Sequence, residues 1–206
     1  MGHSKASKAN THARLVEAAA ARFKERGVDG ISLSDLMKDL KLTHGGFYRH
    51  FDSRDELVSE ALELALAQSG QELREHLFRG DKPDVAAFVD VYLDEAHRDG
   101  RAVGCVVAAL AGDAPRKSAD VQAQFRRQIE RNLETLSVAL RQEGSIVDSR
   151  AAAILLLSTL YGALIMARAV GASPLSSEVL RTVRKRVLTL ARPAKKARAR
   201  SKVKQS

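Results

Sequence analysis

Residues 31–57, ISLSDLMKDLKLTHGGFYRHFDSRDEL, contain two short apolar-faced segments separated by a turn, and this spacing restricts what the chain can fold into. Apolar residues of the first segment recur at i, i+3, i+4 and i+7, as on one face of a two-turn helix: Leu33, Leu36, Met37 and Leu40. Ser32, with Asp35 three residues later, is typical of a capping box at the start of such a helix. We expect this helix to end near Lys41.

A second short helix is predicted from His44 to Phe51. Thr43 offers an N-cap oxygen just before it, and Phe47 and Phe51, four residues apart, would share its inward face. Two capped helices joined by a three-residue turn form a helix-turn-helix.

The outer face of the second helix has the chemistry of a DNA contact surface. It carries hydrogen-bond donors or cations at Thr43, His44, Tyr48, Arg49 and His50. Thr43, Tyr48 and His50 suit phosphate contacts, whereas His44 and Arg49 could reach base edges in the major groove. The glycines at 45 and 46 would let the backbone approach a partner closely. The alternative is a polar helix face that only meets water.

These residues resemble the DNA-binding domain of the TetR family of bacterial transcriptional regulators over about residues 9–60. The matching positions are Gly45, Phe47, Tyr48, Arg49, His50 and Phe51, followed by Ser53, Arg54, Asp55, Glu56 and Leu57. Arg54 keeps the positive charge of the family's usual lysine, which would meet a phosphate, and Arg14 and Ser32 are further expected DNA contacts. Lys41 departs from the glycine common at that turn, and a left-handed lysine there would cost about 1–2 kcal/mol.

The net charge of +9 is concentrated at the two ends of the chain. Residues 192–206 hold seven basic residues and no acidic one, and the amino-terminal region carries a smaller basic excess. A solvated basic tail of this kind is predicted to be disordered when free. A second hypothesis therefore stays open, in which the protein binds nucleic acid without sequence specificity through this tail.

The remaining composition indicates a cytoplasmic protein. The single cysteine excludes an intramolecular disulfide, and the amino terminus lacks the apolar core of a signal peptide. The longest uncharged run, residues 151–167, contains Ser158, Thr159 and Gly162 and is short for a membrane span. We expect no membrane partner.

Helical periodicity continues through most of the chain and predicts an all-α fold of about nine helices. We divide it into a helix-turn-helix domain with its amino-terminal arm (1–53), a helical effector-binding and dimerisation domain (54–191) and the basic tail (192–206). Helices are expected at about 10–26, 54–78, 84–98, 118–142, 148–170 and 174–190. Residues 1–8 are expected to be disordered.

Helices 148–170 and 174–190 carry more apolar surface than one thin domain can bury. We predict that they pair with the same helices of a second subunit, as the family resemblance also implies. Such a homodimer would place two recognition helices about 34 Å apart and so select a pseudo-palindromic double-stranded operator.

The resemblance implies a small-molecule effector held in the second domain, whose binding releases DNA from a repressor. Candidate pocket residues are Phe88, Tyr92, Cys105, Phe125 and Tyr161, although residues of these types are more often plain core. The segment at Cys105 is also similar to a Gly-Cys stretch in TetR-like repressors that respond to electrophiles, where Arg98 and Arg101 could activate the thiol.

No pattern in the sequence predicts an enzyme. No two histidines are four residues apart, no cysteine accompanies a histidine at a spacing suited to zinc, and neither a nucleophile elbow nor a phosphate-binding loop is present. We expect no catalytic residue, metal or cofactor.

Overall fold

The computed structural model describes residues 5–144 and 148–190 and confirms an all-α architecture. Within these ranges there are ten α-helices: α1 (Lys5–Arg26), α2 (Leu33–Asp39), α3 (His44–Phe47), α4 (Arg54–Leu77), α5 (Val85–Tyr92), α6 (Glu95–Asp99), α7 (Val106–Leu110), α8 (Ala119–Gln142), α9 (Ser149–Ala169) and α10 (Pro174–Leu190). A 3-10 turn spans Ala114–Arg116. Two-residue strands β1 (Phe78–Arg79) and β2 (Lys82–Pro83) form a small antiparallel ladder. The predicted basic tail lies outside the described residues.

Helices α1 to α3 and the first turns of α4 enclose the core of a small amino-terminal head. Phe47 and Phe51 are almost fully buried and stack with ring centroids 5.2 Å apart, which confirms their predicted inward orientation. His12 of α1 stacks on Phe51 at 4.4 Å. The aromatic pair therefore anchors α3 from beneath and leaves its outer face to solvent.

Helix α2 begins with the predicted capping box, and the turn after it contains a left-handed residue. The Ser32 hydroxyl accepts a hydrogen bond from the Asp35 N–H at 3.1 Å and donates to the Asp35 carboxylate at 2.6 Å. Lys41 adopts a left-handed backbone with φ of 57°. A lysine therefore occupies a conformation that glycine adopts without strain.

Three expectations for the head were wrong. Helix α1 begins at Lys5 rather than near Asn10, so residues 5–8 are helical; Ala6 and Ala9 have high helix propensity. Helix α3 ends at Phe47, and tight turns, in which the Phe51 N–H still donates to the Phe47 carbonyl, replace its expected last turn. The Thr43 side chain makes no capping hydrogen bond.

Helix α4 joins the head to the second domain. The Ser53 hydroxyl accepts from the Glu56 N–H at 3.1 Å, and the Glu56 carboxylate accepts from the Asp52 N–H at 2.6 Å. Both N–H groups at the start of the helix therefore have a side-chain acceptor. Beyond the head, α4 packs against α8, α5 and α7. The division proposed at 53/54 stays a prediction, because α4 packs against α1 as well.

The second domain differs from the expected layout between residues 84 and 98. One helix was predicted there, but Leu93 ends α5 and the Asp94 carboxylate accepts from the Ala96 N–H at 2.8 Å to begin α6. An N-cap acid inside an otherwise helical pattern redirects the chain. The long helices α8, α9 and α10 agree with the prediction to within about a residue at each end.

Helix α9 is long and apolar enough to cross a membrane by length and composition, and it is the one such helix in the described ranges. One side of it packs against α8 and α10, with Leu156, Leu160 and Leu164 buried. A core helix of this length satisfies the same criteria, so α9 is explained as part of the helical core.

The strained turn at Lys41 gives a stability prediction. Lys41→Gly should raise the free energy of unfolding by about 1 kcal/mol, because glycine adopts φ of 57° without strain. The matched control is Lys38→Gly in α2, which should lower it by about 1 kcal/mol through the poor helix propensity of glycine. Urea denaturation of both variants measures the two values, and equal changes of the same sign would contradict the account.

Candidate nucleic-acid interface and effector cavity

A continuous exposed surface lies over the buried aromatic pair of the helix-turn-helix. Tyr48 is 61% exposed and packs edge-on against Phe47 at 5.3 Å, while Thr43, Gly45 and Arg49 are also exposed. A Cβ added at Gly45 would meet no heavy atom within 4 Å, so the glycine leaves this surface open to a close approach. The structure thus brings Thr43, Gly45, Tyr48 and Arg49 together at one exposed surface.

His50 is half-buried at the edge of this surface. Its Nδ1 is buried and makes no hydrogen bond to the described residues. Burial, followed by the positive charge that His12 can carry, lowers the pKa of His50 below its usual value. At neutral pH His50 is therefore an uncharged group, so any phosphate contact would be a hydrogen bond rather than an ion pair.

The remaining predicted DNA contacts lie in different settings. Arg14 is exposed on α1, and Ser32 is exposed at the cap of α2. The Arg54 guanidinium donates to the Val28 carbonyl at 2.6 Å and lies 3.9 Å from Asp29, so part of its donor capacity holds the turn before α2. His44 begins α3, and its side chain is not described. Phosphate or base contacts by all of these residues stay predictions.

A cavity of about 350 Å³ lies in the second domain between α4, α5, α8, α9 and the segment around Cys105. Its lining combines aromatic, aliphatic and polar side chains: Ser69, Glu72, Leu73, His76, Phe88, Val91, Tyr92, His97, Val103, Cys105, Asn132 and Tyr161. This volume suits a small organic ligand.

Four of the five predicted pocket residues line this cavity. Phe88, Tyr92, Cys105 and Tyr161 come from separate segments of the chain and meet there, whereas Phe125 is buried in the core and is not among the lining residues. Sequence reasoning missed the polar lining residues, among them Glu72, His97 and Asn132. Helical spacing places Glu72 on the polar side of α4, and nothing local indicates that α5 encloses it.

His97 fixes the wall of the cavity by bonding at both ring nitrogens. Its Nδ1 lies 2.7 Å from the Tyr92 carbonyl oxygen, and its Nε2 accepts from the Cys105 N–H at 3.1 Å. This arrangement requires the proton on Nδ1 and an uncharged ring. Burial lowers the pKa of His97, in agreement with the neutral form, although the hydrogen bond to the Tyr92 carbonyl opposes the shift.

The two tyrosines of the cavity hold buried phenol groups. The Tyr161 hydroxyl accepts from the Asn132 amide at 3.2 Å, whereas the Tyr92 hydroxyl is buried and interacts with Cys105. Burial raises the pKa of Tyr92 well above its usual value, and it raises the pKa of Tyr161 as well. Both phenols are neutral at any physiological pH.

Cys105 is buried at the start of α7, beside these groups. Arg98 does not serve as the activating cation considered from the sequence, because its guanidinium donates to Asp99 at 2.7 Å and to Ser176 at 3.0 Å. Electrophile sensing by Cys105 stays a prediction.

The two hydrogen bonds of neutral His97 predict that the free energy of unfolding depends on pH. The pKa of His97 is about 6.5 in the unfolded chain and lower in the folded state, so the unfolded state binds more protons as the pH falls through this window. Stability should be full above about pH 6.5 and decrease on acidification. His97→Gln should cost about 2 kcal/mol at pH 8 through its lost hydrogen bonds and flatten this dependence.

Urea denaturation between pH 8 and pH 5.5 measures the free energy of unfolding and so tests the role of His97. A shallower slope should remain in the His97→Gln variant, because burial also lowers the pKa of His50. An unchanged slope in the variant would show that His97 does not titrate in this way.

Comparisons with known proteins agree with this geometry. The sequence matches the family profile for bacterial regulatory proteins of the tetR family over residues 15–61, and the profile for the LmrA/YxaF-like transcriptional regulator C-terminal domain over residues 83–186. Together these profiles cover both the helix-turn-helix and most of the second domain.

Curated relatives are transcriptional regulators. The HTH-type transcriptional regulator TtgR of Pseudomonas putida is 35% identical over 74 residues, which are 36% of this chain and 33% of that protein. The HTH-type transcriptional repressor NemR of Escherichia coli is 27% identical over 119 residues, which are 56% of this chain and 60% of that protein. The chain therefore spans less than two thirds of the length of these relatives.

Solved structures extend the likeness to nearly the whole fold. The reduced form of E. coli NemR superposes with a TM-score of 0.73 at 22% identity, over 88% of this chain and 96% of that chain. A TetR transcriptional regulator from Chloroflexus aurantiacus gives a TM-score of 0.75 at 27% identity, over 88% and 94%. With both of its domains matched by family profiles, the chain belongs to the TetR family of bacterial transcriptional regulators.

Proposed function

We propose that this protein is a dimeric repressor that binds a pseudo-palindromic operator and is released by a small molecule held in the 350 Å³ cavity. The observation that carries the proposal is the exposed surface of Thr43, Gly45, Tyr48 and Arg49, mounted on the buried aromatic pair. A rigid support of this kind positions donors for phosphates and base edges without a large ordering cost on binding.

The dimer is supported by one exposed apolar face on α9 and the start of α10. Six of the large hydrophobic side chains that remain exposed belong to it: Ile154, Leu155, Ile165, Met166, Val170 and Leu175. Leu155 is 69% exposed and Met166 is 58% exposed. Gly162 lies between them with open space above its Cα, which allows a second helix to approach closely. A contiguous apolar face of this kind is typical of a subunit interface.

Release by an effector is supported by helix α4, which contributes to both the cavity wall and the head. The last turns of α4 supply Ser69, Glu72, Leu73 and His76 to the cavity wall, and its first turns pack in the head. The Lys117 ammonium also donates to both carboxylate oxygens of Asp29 at 2.9 and 2.8 Å, linking the second domain to the turn before α2. An effector that favours one arrangement of these contacts would shift the spacing of the two heads.

Nonspecific binding through residues 192–206 is the alternative. A tail of this charge would contribute a salt-sensitive, sequence-independent affinity. The exposed surface over the aromatic pair has no role in that alternative, so variants of the two regions separate the hypotheses.

The DNA-reading role predicts the outcome of selection from a random duplex pool at about 150 mM salt. A pseudo-palindrome should be enriched, and Tyr48→Ala should weaken binding to it roughly tenfold with an unchanged salt dependence, because the lost phosphate contact is a hydrogen bond rather than an ion pair. Arg49→Ala should weaken binding and relax the preference at one base position. The control is Arg127→Ala, an exposed arginine of α8, which should change neither.

Deletion of residues 192–206 completes this experiment. The enriched sequence should be the same with and without the tail. Loss of nearly all affinity on deletion, without an enriched sequence in the full chain, would favour the nonspecific alternative.

The apolar face predicts the assembly state. Leu155→Glu should convert a dimer into a monomer at micromolar concentration, because it places a charge in the centre of the buried interface. Operator affinity should then fall on the order of 100-fold, because a monomer binds through one head and loses the avidity of two linked heads. Ala67→Glu, at an exposed position of α4, is the control for added charge. Sedimentation equilibrium measures the assembly state of both variants and of the unmodified protein. A monomeric unmodified protein would contradict the proposal.

A further inference from the structure

The cavity is lined by one acidic group, Glu72, whose carboxylate is not held by a close contact. Glu72 is half-buried, and within the described ranges its carboxylate makes no hydrogen bond and no ion pair. Its main-chain carbonyl alone is engaged, with the His76 ring nitrogen at 2.7 Å. Burial raises the pKa of Glu72, which shows that its negative charge is poorly solvated. A half-buried carboxylate in this state gains from any positive charge placed beside it.

The walls around this carboxylate are aromatic and carry no fixed positive charge. Phe88, Tyr92 and Tyr161 follow one another around the cavity, with ring centroids 5.6 and 6.2 Å apart. Neither lysine nor arginine is among the lining residues, and His97 is held neutral by its two hydrogen bonds, although His76 lines the cavity near Glu72. The Arg168 guanidinium acts electrostatically on Tyr92 and Cys105 from outside the lining, and it donates to the main-chain carbonyls of His97 and Arg98. Aromatic faces attract cations through their quadrupoles, most strongly when water is excluded.

The nearest lysine lies outside the cavity. Lys24 of α1 is 7% exposed and lines a neighbouring cleft, together with Glu17, Glu75 and the other side of Glu72. Lys24 partly offsets the charge of Glu72, because it opposes the rise in the pKa of that carboxyl. The cleft nevertheless holds three carboxylates against one ammonium, so the Glu72 side of the cavity favours a cation as well.

From this arrangement we propose that the effector is a lipophilic cation, in which a positively charged nitrogen is attached to an apolar body of one to three rings. The charged group lies against the Glu72 carboxylate, and the apolar body fills the space between Phe88, Tyr92 and Tyr161. The inference rests on the proposed function, in which this cavity is the effector site. It adds the chemical class of the effector and the residue that selects it.

Three naphthalene probes of similar size separate charge from shape. They are (2-naphthylmethyl)trimethylammonium, its uncharged carbon isostere 2-neopentylnaphthalene, and the anion 2-naphthylacetate. The chain has no tryptophan, so naphthalene fluorescence reports binding to the full-length, DNA-free protein directly. The cation should bind at least about tenfold more tightly than the isostere, and the anion should bind most weakly.

Two matched variants assign the preference to one carboxylate. Glu72→Gln keeps the shape of the side chain and should remove the preference for the cation, with little effect on the isostere. Glu75→Gln removes a carboxylate that lines the outer cleft but not the cavity, and it should change the cation's affinity by less than about twofold. Tyr92→Leu should weaken the cation more than the isostere, because it removes an aromatic face.

Several results would overturn the inference. These are equal affinities for cation and isostere, tighter binding of the anion, equal effects of the two glutamate variants, or no binding of any probe. Operator selection and the Tyr48→Ala variant use no cavity ligand. A failure of the effector class is therefore distinguishable from a failure of the proposed repressor function.

Discussion

The continuity of α4 is the constraint on which the rest of the structure depends. Its 24 residues extend about 36 Å from the Ser53 cap to the hairpin of β1 and β2. The same rigid helix buries Leu57, Val58 and Ala61 against the head and presents Glu72 and Leu73 to the cavity. A change in the shape of the cavity therefore has a direct mechanical connection to the orientation of the head.

The other contacts between the head and the second domain are the packing of α1 against α7 and contacts of charged side chains. The Lys117–Asp29 ion pair is solvent-accessible, and pairs of this kind contribute about 0–1 kcal/mol. Lys24 is nearly buried between the two regions, where desolvation lowers its pKa and neighbouring Glu72 opposes the shift. In the proposed function, an effector would act by favouring one orientation of the head relative to these contacts.

Sequence patterns predicted the head well because its determinants are local. The cap at Ser32 and the inward pair Phe47 and Phe51 each depend on residues no more than four positions apart. The left-handed backbone at Lys41 could be anticipated only from the family resemblance, in which glycine is common at that turn. The break at Asp94 was missed because an acid at an N-cap and an acid on a solvent-facing helix surface look the same in sequence.

The cavity could be predicted only in part, because packing between distant segments creates it. Aromatic residues pointed to Phe88, Tyr92 and Tyr161, but the same reasoning included Phe125, which packs in the core instead. Glu72 and His97 were missed, since their enclosure depends on how α5 and the residues before α7 lie against α4. Long-range packing of this kind leaves no periodic signal.

The central claim, that two heads of a dimer read one duplex in fixed register, can be tested by changing the phase of the operator's half-sites. Insertion of five base pairs rotates one half-site by about half a helical turn relative to the other. The account predicts that affinity falls to that of a single half-site, whereas substitution of the same number of central base pairs, without insertion, preserves most of it. Unchanged affinity after the insertion would contradict the account, because it would mean that the heads bind independently or that the helix-turn-helix is not the reader.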